Sequence, residues 1–184
     1  TDHNSPNGIE AIQEIAKDTS LTIFPGVEIT CDTSKVHLLV LFDPSKNATD
    51  VGDFLIQCEI KRDDFGIQEA KTDKSINDVA DIAFKNEAIV IPAHIDEYNG
   101  LESLGNQNLI DFYNRNDINA VQVVHRVFTE NEYTNTSIAS IVPELNTYYN
   151  NPTPPIDDSR AKNWYNSVKL AINKDLALLT FSDN

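Results

Sequence analysis

Apolar and polar positions alternate along this chain with two different periods. "GIEAIQEIAK" places Ile9, Ile12, Ile15 and Ala16 on one helical face, and Pro6 and Gly8 mark where that helix begins. "LTIFPGVEIT" (21–30) and "VHLLVLF" (36–42) are short runs of branched residues that predict strands, the first broken by a Pro25–Gly26 turn. "NATDVGDFLIQCEI" (47–60) and "SINDVADIAFKNE" (75–87) return to helical spacing, with Ser75 as the N-cap of the second. "EAIVIPAH" (87–94) predicts a strand that turns at Pro92, "NQNLIDFYNRN" (106–116) a helix, and "INAVQVVHRVF" (118–128) a strand. "SRAKNWYNSVKLAIN" (159–173) is an amphipathic helix that leads into the strand "LALLTFSD" (176–183). Residues 129–158 form a long excursion with one short helical piece at 138–145. No repeat or linker divides the 184 residues, so one domain over 1–184 is expected.

Strands that are apolar on both faces and separated by helices predict an α/β fold with a parallel sheet covered on both sides. An open doubly wound sheet and a closed barrel both satisfy that pattern, and in both the functional edge is where the strands end. The polar residues at that edge form a set. His94 ends "EAIVIPAH", His125 ends "AVQVVH" and Asp183 ends "LALLTFSD". Glu28 lies within "FPGVEIT", His37 opens "VHLLVLF", and Asp2 and His3 stand at the start of the chain. All four histidines belong to the set. A single strand histidine is more often a satisfied core residue, and Asp183 alone could cap a helix. Glu28 between Val27 and Ile29 is different, because a buried carboxylate is costly unless paired or metal-bound. Together these imidazoles and carboxylates are the N/O ligand set of a zinc, manganese or iron site, with room for two or three ions.

Charge narrows the partners. Fourteen basic against 29 acidic residues give a net charge of −15, which argues against a bare nucleic-acid-binding surface. Such a balance suits a domain that holds divalent cations, or one whose substrate grip lies elsewhere on the polypeptide. Lys35, Arg126 and Arg160 are the cations near strand ends or the long excursion that could hold phosphate oxygens. Cys31 and Cys58 are too few for a disulfide scaffold, so a cytoplasmic setting is expected. No apolar run approaches the roughly 18 residues of a membrane span.

In chain order, "TDHN", "PGVEIT", "VHLLVLFDP", "IPAH" and "FSD" resemble the motifs of the PHP domain, the family named for polymerases and histidinol phosphatase. No single motif is specific; five in the right order and strand context, from Thr1 to Asn184, carry the likeness. The resemblance implies a distorted TIM-like barrel of parallel strands and helices, with zinc, manganese or iron, and a metal-dependent phosphoesterase activity. It implies that His3 binds one ion with Asp2 in support, and that Glu28 bridges two. His37 and His94 complete the site of one ion, and Asp183 binds the other. Glu28, His94 and Asp183 would then carry the catalysis, with metal-activated water attacking phosphorus in line. His125 is not assigned by the family pattern and is a candidate pocket or substrate contact.

The family's opening His-x-His and closing Asp-x-His are not in the sequence. A domain truncated at both ends, part of a longer protein, is therefore expected; a metal-free relative serving as an interaction platform is the alternative. The wider sequence is similar to PHP domains fused ahead of SMC-like ATPases, some of which act in bacterial defence against phage. That likeness implies an ATPase on the same polypeptide and a nucleic acid or nucleotide as the phosphorylated substrate, with a small phosphomonoester second. It leaves an oligomer open.

Overall fold

The computed structural model describes residues 2–31, 35–67 and 69–180. In chain order the elements are β1 (Asp2–His3), α1 (Ile9–Ala16), β2 (Gly26–Cys31), β3 (Val36–Leu41), α2 (Ala48–Gln57) and α3 (Ile76–Lys85). β4 (Ile89–Pro92), α4 (Asn106–Tyr113), β5 (Ala120–Gln122), α5 (Val127–Glu130), α6 (Val142–Tyr148), α7 (Asp158–Asn173) and β6 (Ala177–Leu179) follow. The Ser75 cap forms as expected: its hydroxyl accepts the Asp78 N–H, and the Asp78 carboxylate accepts the Ser75 N–H, both at 3.2 Å. Asn47 and Asp50 build the same reciprocal cap on α2.

The strands do not form the expected barrel. The described residues contain one four-stranded sheet in the order β1-β2-β3-β4 and one two-stranded sheet of β5 and β6, with no closure. β1 runs parallel to β2, and β5 to β6, but β3 is antiparallel to both β2 and β4. The physical reason lies in the connection. β2 ends at Cys31 and β3 begins at Val36, whereas a parallel crossover needs about a dozen residues or more. The two sheets meet where the Ile95 N–H donates to the Gln122 carbonyl at 3.0 Å.

The strand expected over 118–128 stops at Gln122. The Asp96 carboxylate accepts the N–H groups of Val124 and His125, at 2.9 and 2.7 Å, in place of a neighbouring strand. Phe128 N–H then bonds the His125 carbonyl and starts α5.

Side-chain alternation gives the main sheet two faces. Val27, Ile29 and Cys31 of β2, with Val36, Leu38 and Val40 of β3, join the large core formed with Val51, Phe54 and Leu55 of α2 and Val79, Ala80 and Ala83 of α3. The opposite face carries Glu28, Thr30 and His37. Beside them a small cluster of Leu39, Ile91 and Ala93 is bordered by Leu41, Ala120 and Leu179. Among the described residues, no helix is long and apolar enough to cross a membrane.

This division makes a testable statement about stability. Leu38 is fully buried on the core face, so Leu38→Ala should cost about 2–5 kcal/mol. Phe84, 65% exposed on α3, should cost within about 0.5 kcal/mol when changed to Ala. Urea midpoints at unchanged m-value check both.

Candidate metal centre

Four of the sequence-predicted ligands converge on the second sheet face. His3 ends β1 and pairs across the ladder with Glu28, which sits in the middle of β2. His37 is the second residue of β3, opposite Thr30, and so lies diagonal to Glu28 on the same face. Because β3 is antiparallel, its first residues share an edge with the ends of β1 and β4. His94, two residues past β4, completes the group.

Glu28 Oε1 is the centre. It lies 2.7 Å from His37 Nδ1, 3.7 Å from His94 Nε2 and 3.8 Å from His3 Nδ1. His37 Nδ1 is 3.1 Å from His94 Nε2. Two nitrogens each bound to a tetrahedral ion stand roughly 3.3–3.4 Å apart, so these spacings suit donors that share an ion. The 3.7 and 3.8 Å separations are too long for hydrogen bonds. Donor atoms of His3, Glu28 and His37 all fall within 4.8 Å of one another, which makes these three residues a possible metal-holding group. Burial pushes the Glu28 carboxyl up, but the neighbouring imidazoles of His37 and His94 outweigh that and hold it well below the usual carboxylate range.

Each donor is held from behind. His3 Nε2 lies 2.7 Å from Thr30 Oγ1, which leaves Nδ1 turned toward Glu28. The buried Asn4 side chain donates to Thr30 Oγ1 at 3.3 Å and to the Ala70 carbonyl at 2.7 Å, and accepts the Thr30 N–H at 3.1 Å. A metal-binding histidine with its far nitrogen engaged is the usual arrangement for fixing ring orientation. His94 is set by its own loop. Its N–H donates to Gln122 Oε1 at 3.0 Å, and the His37 N–H donates to the Asn99 carbonyl at 3.2 Å. Gly100 is required here, since a Cβ would stand 2.4 Å from the His94 carbonyl oxygen.

The centre opens into a cavity of about 660 Å³ lined by His3, Thr30, His37, Asn99, Lys35 and Lys71, with Glu69 also on its wall. Of the three cations proposed from sequence, Lys35 lines this cavity. Arg126 lines a different cavity with Glu130 and Glu144. Arg160 lies 4.7 Å over the Tyr98 ring and pairs with Glu102 at 3.3 Å. His125 belongs to an aromatic cluster: its ring stacks on Trp164 at 5.8 Å, and Nε2 is 2.8 Å from the Tyr149 hydroxyl, which donates to Glu97. Asp2 contributes its backbone to β1, opposite Val27. Asp183 lies outside the described residues.

Sequence reasoning missed Asn4, Thr30, Asn99 and Lys71. Thr30 had a signal, because it stands two residues after Glu28 in a strand and must share its face. Asn4, Asn99 and Lys71 had none, since tertiary contacts place them.

Thr30→Val keeps the shape of the side chain and removes the hydroxyl against His3. It should lower Mn²⁺ affinity about 10–100-fold, measured by titration, with the fold retained. A second prediction concerns pH. Burial lowers the His125 pKa to about 4, below its unfolded value, so its contribution is complete above about 6.5 and is lost as pH falls toward about 4. The stability difference between the unsubstituted chain and His125→Gln should shift in the variant's favour over that window by about 1.4 kcal/mol per pH unit. Urea midpoints across the window check it, and a constant difference refutes it.

No protein-family model matches this sequence, and no curated protein matches it.

Proposed function

We propose that the chain is a metal-dependent phosphoester hydrolase of the PHP type, with Glu28 as the shared carboxylate of its metal centre. The observation that carries this reading is one oxygen of a largely buried carboxylate ringed by three imidazole nitrogens at 2.7, 3.7 and 3.8 Å. That donor set suits zinc, manganese or iron. His3 through Nδ1, Glu28 through Oε1, His37 through Nδ1 and His94 through Nε2 would hold the ion or ions. Such ions supply Lewis acidity and a water acidified toward neutral pH.

The chain's own residues do the rest by position and charge. Glu28 stays anionic and gives the site its fixed negative charge. Asn4 and Thr30 lock the His3 ring, and the 94–100 loop locks His94. The cavity beside them leaves a phosphoester open access to the donor face. No protein nucleophile is called for. Cys31 is fully buried on the opposite sheet face, and burial pushes the Cys58 thiol up to about 12.

Titration of the purified chain with Mn²⁺ or Zn²⁺ should give at least one bound ion, and Glu28→Gln should weaken binding by more than the ~100-fold seen when only a supporting residue is lost. The loaded chain should cleave bis(p-nitrophenyl) phosphate, and the variant should not. No metal uptake, or uptake that ignores Glu28→Gln, would falsify the reading.

A further inference from the structure

Among the described residues, Lys35 and Lys71 are the two cations on the wall of the metal-centre cavity, and four features of their setting bear on what they could hold. The first is rarity. In a chain with 14 basic and 29 acidic residues, two lysines face one cavity together with His3 and His37. Second, neither has a carboxylate partner. Among the described residues neither forms an ion pair within 4.0 Å, as holds for most lysines of the chain, although here Glu69 stands on the same wall.

Third, Lys71 is held in place by its neighbours. The Ala70 carbonyl accepts the Asn4 side chain at 2.7 Å, and the Thr72 N–H donates to the Thr30 carbonyl at 3.0 Å. A bridge between Cys31 and Thr72 continues the edge of β2. The residues that hold His3 therefore also hold the segment carrying Lys71. Fourth, Lys35 has φ +58, a left-handed conformation that glycine or asparagine adopts with less strain, two residues before His37.

We propose that Lys35 and Lys71 form a clamp for a phosphate group adjoining the one that reaches the metal centre. The substrate is then a compact anion with at least two neighbouring phosphate groups. This deepens the hydrolase reading and rests on it for the fate of the first phosphate. Size agrees: about 660 Å³ falls in the roughly 300–1,000 Å³ range of small-ligand pockets and exceeds what a lone phosphate fills. Charge selects the compact form. A net −15 repels a long polyanion at distance, whereas two lysines attract only within about 8–10 Å at ordinary salt.

The test uses the whole chain stripped of divalent ions, so that it does not depend on metal binding. Calorimetric titration with inorganic pyrophosphate, orthophosphate and a short single-stranded oligodeoxynucleotide should show pyrophosphate bound most tightly. Lys35→Gln and Lys71→Gln should each weaken pyrophosphate binding about tenfold, and the double variant should abolish it. Lys85→Gln, on an exposed site of α3, should change nothing. Unchanged pyrophosphate affinity in the double variant overturns the clamp. Equal affinity for orthophosphate overturns the second phosphate, and tighter binding of the oligonucleotide overturns the compact substrate. Mn²⁺ titration of the same proteins reports on the hydrolase reading separately, and both lysine variants should keep the parent affinity.

Discussion

A carboxylate set into the middle of an apolar strand is the constraint on which this structure turns. Glu28 lies between Val27 and Ile29, both fully buried on the core side of the sheet. Desolvation alone would drive its proton back on, and the fold answers with the imidazoles of His37 and His94. Three histidines from β1, β3 and the loop after β4 meet one carboxylate oxygen. Each is then braced from behind by a hydroxyl, a backbone group or a tight loop. A neutral residue at position 28 would leave that bracing with nothing to serve.

The reversed direction of β3 is what makes the convergence possible. In an all-parallel sheet the first residues of β3 would lie at the edge opposite the ends of β1 and β4. His37 would then be a strand length away from His3 and His94. The antiparallel hairpin brings it back. The same chain fact, the brief connection from Cys31 to Val36, both rules out the expected barrel and explains why a residue at the start of a strand joins residues at the ends of others. That His3, Glu28, His37 and His94 gather was legible from residue type and position on strands, yet the architecture that unites them was misread because apolar runs carry no direction. The connection length carried the direction and was visible in the sequence.

Other parts were hidden for a different reason. Helix starts at Ser75 and near Gly8 were readable because caps and turns are local chemistry. The end of β5 was not. Asp96, 28 residues earlier in the chain than Val124, accepts the backbone N–H groups that would otherwise continue a ladder. His125 thus moves into the aromatic cluster of Trp164 and Tyr149, although its sequence setting resembles that of His94. Asn4 and the segment carrying Lys71 are placed by bonds that span 26 and 66 residues, and no periodicity reports those.

Backbone conformation adds an independent mark on the same region. Among the described residues, nine other than glycine have positive φ. Glu59, Glu87, Asn150 and Asp175 each directly follow the C-cap of a helix, and Asn151 comes next after Asn150. The N–H groups of Ile60, Ala88, Asn151 and Leu176 reach back to the carbonyls of Leu55, Ala83, Asn146 and Ala171, the bond that closes a left-handed helix terminus. Helix termination accounts for those five. The remaining four are Asn4, Lys35, His94 and Asn99: His94 is one of the candidate donors, Lys35 and Asn99 line the cavity, and Asn4 bonds Thr30 on its wall. Left-handed backbone in ordinary residues persists only where surrounding contacts over-determine it, and such strain gathers at functional sites. Asn4 has three side-chain hydrogen bonds to hold it, and His94 has the Gln122 amide and the close approach of Gly100. Two of the four are asparagines, which take this conformation at less cost, so the strain rests on Lys35 and His94, the residues that the proposed clamp and metal centre would need held.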